Sequence, residues 1–126
     1  MSLSWIEYLR HILDEADYLE VQSRDLSIVD FLEDDTLQRA FVRSLEIIGE
    51  ATKKLPDSVK QAYADVDWRA IAGMRDKLIH DYFGVDYEIV WDVVINRIPP
   101  LKVTVERMIA TAVETNTGDG RIGTVE

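Results

Sequence analysis

Apolar residues recur every three or four positions along almost the whole chain, which is the spacing of helices that bury one face. Near the start they form a single stripe: Trp5, Ile6, Leu9, Ile12, Leu13, Ala16 and Leu19. No segment shows the apolar–polar alternation that is typical of a half-buried strand. The pattern predicts an all-α fold, and the short links between the long helices favour an antiparallel bundle of four to five helices.

Polar residues and prolines indicate where the first helices begin and end. Ser4 and Glu7 have the spacing of a capping box, in which each side chain bonds to the other residue's backbone amide. A short helical turn is expected after Ser27. The second long helix is predicted to begin near residues 34–35 and to end before Pro56, which fits the first turn of another short helix.

The second half of the chain has similar signals. A third long helix is predicted to begin near Asp67 and to end at Gly84, because glycine readily takes the backbone conformation of a helix C-terminus. Asp86 is expected to cap the next helix. Pro99 and Pro100 are expected to interrupt or kink it, because neither can donate a helical hydrogen bond.

Length and composition fit one intracellular domain. The 126 residues are predicted to form a helical domain over residues 1–115, followed by a flexible, Gly-rich tail over residues 116–126. The absence of cysteine excludes disulfides and thiolate metal sites and is compatible with a reducing cytoplasm. No signal peptide and no apolar run of about 20 residues is found, so a cytoplasmic location without a membrane partner is predicted.

The net charge of −10 is unevenly distributed. Residues 14–35 hold nine acidic residues and one basic residue, Arg24. Such a balance argues against broad nonspecific nucleic-acid binding, which depends on Lys and Arg. A solvated helix face is the favoured interpretation of the acidic segment, and a docking patch for a basic partner is the alternative.

The stretch "GMRDKLIHDYFG", residues 73–84, contains the most reactive set of side chains. On a straight helix Arg75 and Tyr82 lie near one azimuth, whereas His80 points about 140° away from Arg75. One ideal helix therefore does not aim Arg75 and His80 at the same small ligand. Three arrangements would: a distorted helix, an Arg75 side chain that curls around, or two copies of the helix that face each other.

These residue types permit a specific chemistry. His80 could take the proton of a ribose 2′-hydroxyl, and Arg75 could stabilise the negative charge that develops on the phosphate, so that RNA is cleaved without a metal. Tyr82 could bind a base or phosphate or be modified, and Asp76 could orient the imidazole. The residues alone equally allow an Arg75 that pairs with a surface acid and a His80 that caps the helix end.

Three stretches occur in a fixed order: "RSLEIIGEATKKLP" (residues 43–56), "DWRAIAGMRDKLIHDYFGVDYEIVWDVV" (residues 67–94) and "IPPL" (residues 98–101). Together they resemble the HepT-like branch of the HEPN superfamily, the ribonuclease toxins that pair with small, MntA-type nucleotidyltransferase antitoxins. The resemblance covers most of residues 3–110. Its most specific part is Arg-x4-His-x-Tyr, here Arg75, His80 and Tyr82.

The resemblance implies a homodimer that brings two Arg/His motifs into one cleft, and a metal-independent RNA endonuclease that needs no cofactor. RNA is the implied substrate, and no DNA partner is expected. By this resemblance His80 is the general base or acid and Arg75 the phosphate clamp. Asp76 stands where the family often has Asn, and its negative charge would partly offset that of Arg75.

The resemblance also implies regulation within a type VII-like toxin–antitoxin system. The partner nucleotidyltransferase adenylylates the motif tyrosine, here Tyr82, and so silences the toxin. Tyr82 is two turns from Arg75 on the same helix face, so the phosphate of an attached AMP could fold back onto the guanidinium. The alternative function is a non-catalytic HEPN module that binds a nucleotidyltransferase or a nucleotide.

Two acidic residues of the second helix are candidates for supporting the site. Glu46 and Glu50 share a face with Arg43 and are expected to pair with it, or one of them could pair with Arg75 and fix its position. A structural role is the favoured interpretation. His11 is expected at or near the surface, and with two His and no Cys no metal site is predicted.

Overall fold

The computed structural model describes residues 4–78 and 84–119. These residues form helices α1 (Trp5–Ser23), α2 (Ile28–Leu32), α3 (Asp35–Lys53), α4 (Asp57–Ala62), α5 (Trp68–Ala72), α6 (Met74–Leu78), α7 (Tyr87–Asp92) and α8 (Ile98–Asp119), with a π-helical turn, Val93–Arg97, between α7 and α8. The predicted all-α fold is confirmed. Within the described residues, no helix is both long and apolar enough to cross a membrane.

Most predicted helix starts are capped by the expected side chains. Ser27, Asp34 and Asp67 each accept a hydrogen bond from the amide three residues later, at 3.0–3.1 Å. Asp86 accepts from the amides of Glu88 and Ile89 at 3.1 and 3.2 Å. Each bond satisfies an amide that has no partner inside its own helix, and so fixes where the helix begins.

The capping box predicted at the first helix is wrong. Ser4 is the N-cap residue of α1, but its side chain makes no capping hydrogen bond. The amide of Glu7 instead donates to the backbone carbonyl of Ser4 at 3.0 Å. The carboxylate of Glu7 accepts from the charged guanidinium of Arg10, also at 3.0 Å, and charged donors make the stronger hydrogen bonds.

The predicted third long helix begins at the expected place but is broken at Gly73. The chain forms α5, passes through Gly73 with φ −89° and ψ 5°, and enters α6 at Met74. Glycine loses more backbone entropy in a helix than any other residue, so this is the weakest position of the segment. The break starts a new short helix that carries Arg75.

Of the two predicted effects of the prolines, an interruption of the helix is wrong, because the helix continues through them after a π-helical turn. The amide of Ile98 donates to the carbonyl of Val93, five residues earlier, which is the hydrogen bond of a π-helix. Pro99 and Pro100 then occupy the first turn of α8, where a missing amide hydrogen costs little. The same helix continues to Asp119, so residues 116–119 of the predicted tail are helical, and residues 120–126 lie outside the described part.

The helices α1 and α3 run antiparallel. The ring of Tyr18, near the end of α1, lies edge-on to that of Phe41, near the start of α3, with centroids 6.4 Å apart. At the opposite ends, Tyr8 and Lys54 line one surface hollow. The helix α3 therefore has one face on α1, and its other sides are available to α5 and α6.

The helices α1 and α8 are also antiparallel. The ammonium of Lys102, near the start of α8, lies 2.9 Å from Asp17 and 2.7 Å from Glu20 of α1. At the other end, Trp5 and Ala112 line a common groove. Between the helices lies one apolar core, whose largest fully buried members are Phe31, Phe41, Leu9, Ile12, Leu19, Leu45, Ile48, Leu78, Ile98, Leu101, Met108 and Val90.

Candidate functional site

Arg75 of α6 is joined to Glu46 of α3. Its Nε donates to a carboxylate oxygen of Glu46 at 3.1 Å, although the two residues are 29 positions apart in the chain. The Arg75 side chain is 54% exposed and that of Glu46 is 24% exposed. The guanidinium is thus fixed along one edge, while other N–H donors remain open to a ligand from solvent.

A glycine explains why α3 and the α5–α6 segment approach so closely. A Cβ built on Gly49 would lie 3.3 Å from the carbonyl oxygen of Ile71 and 3.4 Å from that of Ala72. Any other residue at this position would push the end of α5 away from α3. Gly49 is one turn from Glu46, so the close approach also sets the distance over which Glu46 reaches Arg75.

Asp76 is the second acid beside Arg75. Its carboxylate lies 3.8 Å from Nη1 of Arg75, and its side chain is 85% exposed. An ion pair at this distance and exposure is screened by water and contributes little to stability. Asp76 therefore lowers the local positive charge without occupying the Arg75 donors as Glu46 does.

Glu46 has the partner predicted as the alternative to Arg43, namely Arg75, and Glu50 has a partner that was not expected, Lys53. Neither carboxylate forms an ion pair with Arg43 among the described contacts, because Glu46 binds Arg75 and Glu50 accepts from Lys53 at 3.0 Å. The hydrogen bond from Lys53, and then its charge, lower the pKa of Glu50, and the charges of Lys54 and Arg75 add smaller effects. Glu50 is therefore in the field of Arg75 without being its direct partner.

His80 and Tyr82, the other two residues of the predicted motif, lie outside the described residues, and their roles stay predictions. The described residues on either side are hydrogen-bonded to each other, since the amide of Asp86 donates to the carbonyl of Leu78 at 3.1 Å. Gly84 has φ +100°, a conformation that side-chain-bearing residues rarely adopt. The predicted end of the third long helix at Gly84 stays a prediction, since residues 79–83 lie outside the described part.

The close approach at Gly49 was not predicted from the sequence. Its signal was nevertheless present, because a glycine within the apolar run "EIIGEA" is unfavourable for a helix and needs a packing reason. The expected surface position of His11 is confirmed, and its ring lies edge-on to Tyr8 with centroids 5.9 Å apart. Across residues 4–78 and 84–119, no three His, Asp or Glu side chains are grouped so as to hold a metal ion.

Fold and site place the chain among the all-α helical bundles, with an exposed arginine that one carboxylate fixes in position. Comparison with known proteins defines the family. The family model described as ribonuclease HepT-like matches residues 7–108 of this chain. The chain therefore belongs to the HepT-like ribonuclease family, which confirms the predicted family.

Curated relatives agree with this assignment. A protein of Caldanaerobacter subterraneus subsp. tengcongensis, named as a candidate RNase, is 50% identical over 102 residues, which are 81% of this chain and 91% of that protein. A protein of Thermococcus cleftensis, named as a candidate ribonuclease HepT, is 43% identical over 108 residues, 86% of this chain and 98% of its own. No solved structure matches the chain significantly.

Proposed function

We propose that this chain is a metal-independent RNA endonuclease and the toxin of a toxin–antitoxin pair, acting in the cytoplasm. The observation that carries the proposal is Arg75, which is fixed by Glu46 at 3.1 Å and yet remains 54% exposed. A cation that is positioned and accessible is what stabilisation of a phosphate in the transition state requires. Membership of the HepT-like ribonuclease family supports the same substrate class.

In the proposed reaction the 2′-hydroxyl of RNA attacks the adjacent phosphate, and the 5′-oxygen of the next nucleotide leaves. His80 takes the proton of the 2′-hydroxyl as general base or supplies one to the leaving oxygen as general acid. The free N–H groups of Arg75 bind the non-bridging oxygens as negative charge develops on them. Glu46 positions Arg75, because its carboxylate binds Nε and not the donors that face the ligand.

The active unit in this proposal is a homodimer. On an ideal helix Arg75 and His80 point about 140° apart, so one copy of the motif supplies only part of a site. A two-fold partner would bring its own motif into the same cleft. Analytical ultracentrifugation should find a dimer at micromolar concentration, and a monomer that still cleaves RNA would contradict the shared cleft.

The experiment that tests the activity is cleavage of cellular RNA by the purified, unmodified protein in the presence of EDTA. The wild-type protein is expected to cleave, and His80→Ala is expected to lose cleavage while it keeps its melting temperature. Glu7→Ala, which changes a partly exposed residue bonded to Arg10 on α1, serves as the matched control. Cleavage that persists at the wild-type rate in His80→Ala would refute the assignment.

Silencing by adenylylation of Tyr82 is the second part of the proposal. A nucleotidyltransferase antitoxin would transfer AMP from ATP to the Tyr82 hydroxyl and release pyrophosphate. Incubation with ATP and the nucleotidyltransferase encoded beside this chain should add AMP to the wild-type protein and not to Tyr82→Phe. Intact-protein mass spectrometry measures the addition, and modification of Tyr82→Phe to the same extent would place the site elsewhere.

A non-catalytic module that binds a nucleotidyltransferase or a nucleotide is the second candidate function. It is favoured by Asp76, whose carboxylate lies 3.8 Å from Arg75, and by the net charge of −10. This alternative predicts complex formation that survives His80→Ala, together with no RNA turnover by the wild-type protein. Turnover in EDTA that depends on His80 excludes it.

A further inference from the structure

The exposed side of α3 next to Arg75 is basic, although the chain as a whole is acidic. Four exposed cations line it along about 22 Å of helix, and we name this surface the α3 basic face: Arg39, Arg43, Lys53 and Lys54. Arg43 and Lys54 point in nearly the same direction, since they are 11 residues, or about three turns, apart. Glu46 lies between Arg43 and Lys53 on this face, so the face is continuous with the Arg75 site.

The carboxylates on this side of α3 are already occupied. Glu46 binds Arg75 and Glu50 binds Lys53. Arg39, Arg43 and Lys54, by contrast, form no ion pair among the residues that the structure describes. The face therefore presents three cations without an ion-pair partner, beside an arginine that is only partly neutralised.

Aromatic rings lie next to these free cations. Tyr8 and His11 of α1, together with Arg43 and Lys54, line an open hollow of about 200 Å³ at the edge of α3. Cations that follow a backbone, with aromatic rings on which bases stack, are the combination by which proteins bind single-stranded nucleic acid.

We propose that the α3 basic face binds the RNA strand beside the cleavage position. Arg43 and Lys54 contact phosphates that flank the one bound by Arg75, and a neighbouring base lies in the hollow against Tyr8. This assignment rests on the proposed ribonuclease function and extends it from the reacting phosphate to the strand on one side. It also explains how a chain with a net charge of −10 can bind a polyanion, because the cations are concentrated where the strand lies.

The test measures RNA binding separately from cleavage. A fluorescein-labelled single-stranded RNA of mixed sequence is titrated with His80→Ala protein at several salt concentrations, and fluorescence anisotropy gives Kd. When Arg43→Gln and Lys54→Gln are introduced into the His80→Ala protein, its affinity for this RNA is expected to fall about tenfold at low salt. It should also reduce the slope of log K against log salt by roughly 1.4, because each lost phosphate contact accounts for about 0.7 in single strands.

Two control proteins separate position from charge. Arg24→Gln with Arg107→Gln removes the same amount of charge from two other exposed residues, Arg24 at the end of α1 and Arg107 on α8. This double variant should leave the salt slope unchanged. Arg43→Lys with Lys54→Arg keeps the charges and should restore the slope. The α3 basic face is overturned as an RNA site if both Gln double variants lose the same RNA affinity. It is also overturned if Arg43→Gln with Lys54→Gln leaves the salt slope unchanged.

The outcomes distinguish this inference from the activity itself. Suppose that the wild type cleaves RNA in EDTA, while Arg43→Gln with Lys54→Gln binds RNA as tightly as the Arg24→Gln, Arg107→Gln control. The α3 basic face is then refuted as an RNA site, and the ribonuclease proposal stands. Binding that depends on Arg43 and Lys54 without any wild-type cleavage supports the face and refutes the ribonuclease. The proposal that the α3 basic face binds RNA is also refuted if the protein binds no RNA at all. The same holds if Arg43→Gln with Lys54→Gln dissociates the dimer but leaves the salt slope unchanged.

Discussion

Two cations in this protein connect helices that are far apart in the chain, and they do so in opposite ways. Lys102 is 19% exposed and lies between two carboxylates of α1, 2.7 Å from Glu20 and 2.9 Å from Asp17. Arg75 is 54% exposed and makes one close contact, at 3.1 Å to Glu46. The first cation is enclosed by its partners, and the second is positioned by its partner and left accessible.

The difference shows which ion pair can take part in binding. Hydrogen bonds to Glu20, and then to Asp17, raise the pKa of Lys102, although burial opposes the shift. Two of its three N–H donors are thus committed to closing α8 onto α1. Arg75 has five donors and uses one at short distance, so several remain for a phosphate. Both cations are paired, so pairing alone does not separate them. Arg75 differs from Lys102 in its unused N–H donors and in its greater exposure.

Among the residues that the structure describes, the largest effect on cleavage is expected at Arg75. Arg75→Ala should reduce the cleavage rate roughly 10²- to 10³-fold, the usual cost of removing one donor to a developing anion. Its stability should change by only about 0.2–1 kcal/mol, because the Arg75 side chain is itself 54% exposed to water. Single-turnover cleavage assays and thermal melts measure the two effects. A large loss of stability would mean that Arg75 resembles Lys102 after all.

Glu46→Gln should have the next largest effect, on the order of a tenfold loss in cleavage rate, which corresponds to about 1.4 kcal/mol. The amide oxygen of Gln can still accept from Nε of Arg75, but without the charge that strengthens the bond. Arg75 would then be less well positioned. Glu50→Gln is the control, and equal losses in both variants would contradict a specific positioning role for Glu46.

The architecture could be predicted from the sequence to the extent that local chemistry determines it. The caps at Ser27, Asp34 and Asp86 were predictable because each depends on a side chain and an amide two or three residues away. The break at Gly73 and the π-helical turn before Pro99 were not predicted, because a helix can accommodate glycine or proline in several ways. Packing selects among them.

The candidate site, too, could be predicted only where local sequence determines it. The motif at Arg75 was recognised through its resemblance to the HepT-like family, and the assignment to Glu46 or Glu50 was left open because both acids lie on the same face of α3. The choice of Glu46, 29 residues from Arg75, depends on how closely α5 approaches α3 at Gly49. Contacts of this kind are tertiary, so sequence periodicity does not reveal them.

Gly49→Ala tests that tertiary contact and should have a smaller effect, a two- to threefold loss of cleavage. The added methyl would lie 3.3 Å from the carbonyl oxygen of Ile71 and displace α5 by a few tenths of an ångström, which loosens the Glu46–Arg75 contact. Overpacking of about 1–3 kcal/mol is partly offset by up to about 1 kcal/mol of better helix propensity. Gly73→Ala is the control, and equal cleavage by Gly49→Ala and the wild type would show that the spacing is tolerant.

Lys102→Met should have the smallest effect on cleavage, namely none, although it removes two close ion contacts. Its melting temperature should fall more than that of Arg75→Met, because Met leaves Asp17 and Glu20 facing each other without a cation. The pKa of Lys102 is raised in the folded state, so its contribution to stability is complete below the unfolded pKa of about 10.4 and is lost only above it. The difference in melting temperature between wild type and Lys102→Met should therefore stay constant from about pH 6 to about pH 9. The distinction between the two cations is wrong if Lys102→Met folds but cleaves RNA more slowly than the wild type. In that case the contact between α1 and α8 would also affect the candidate site.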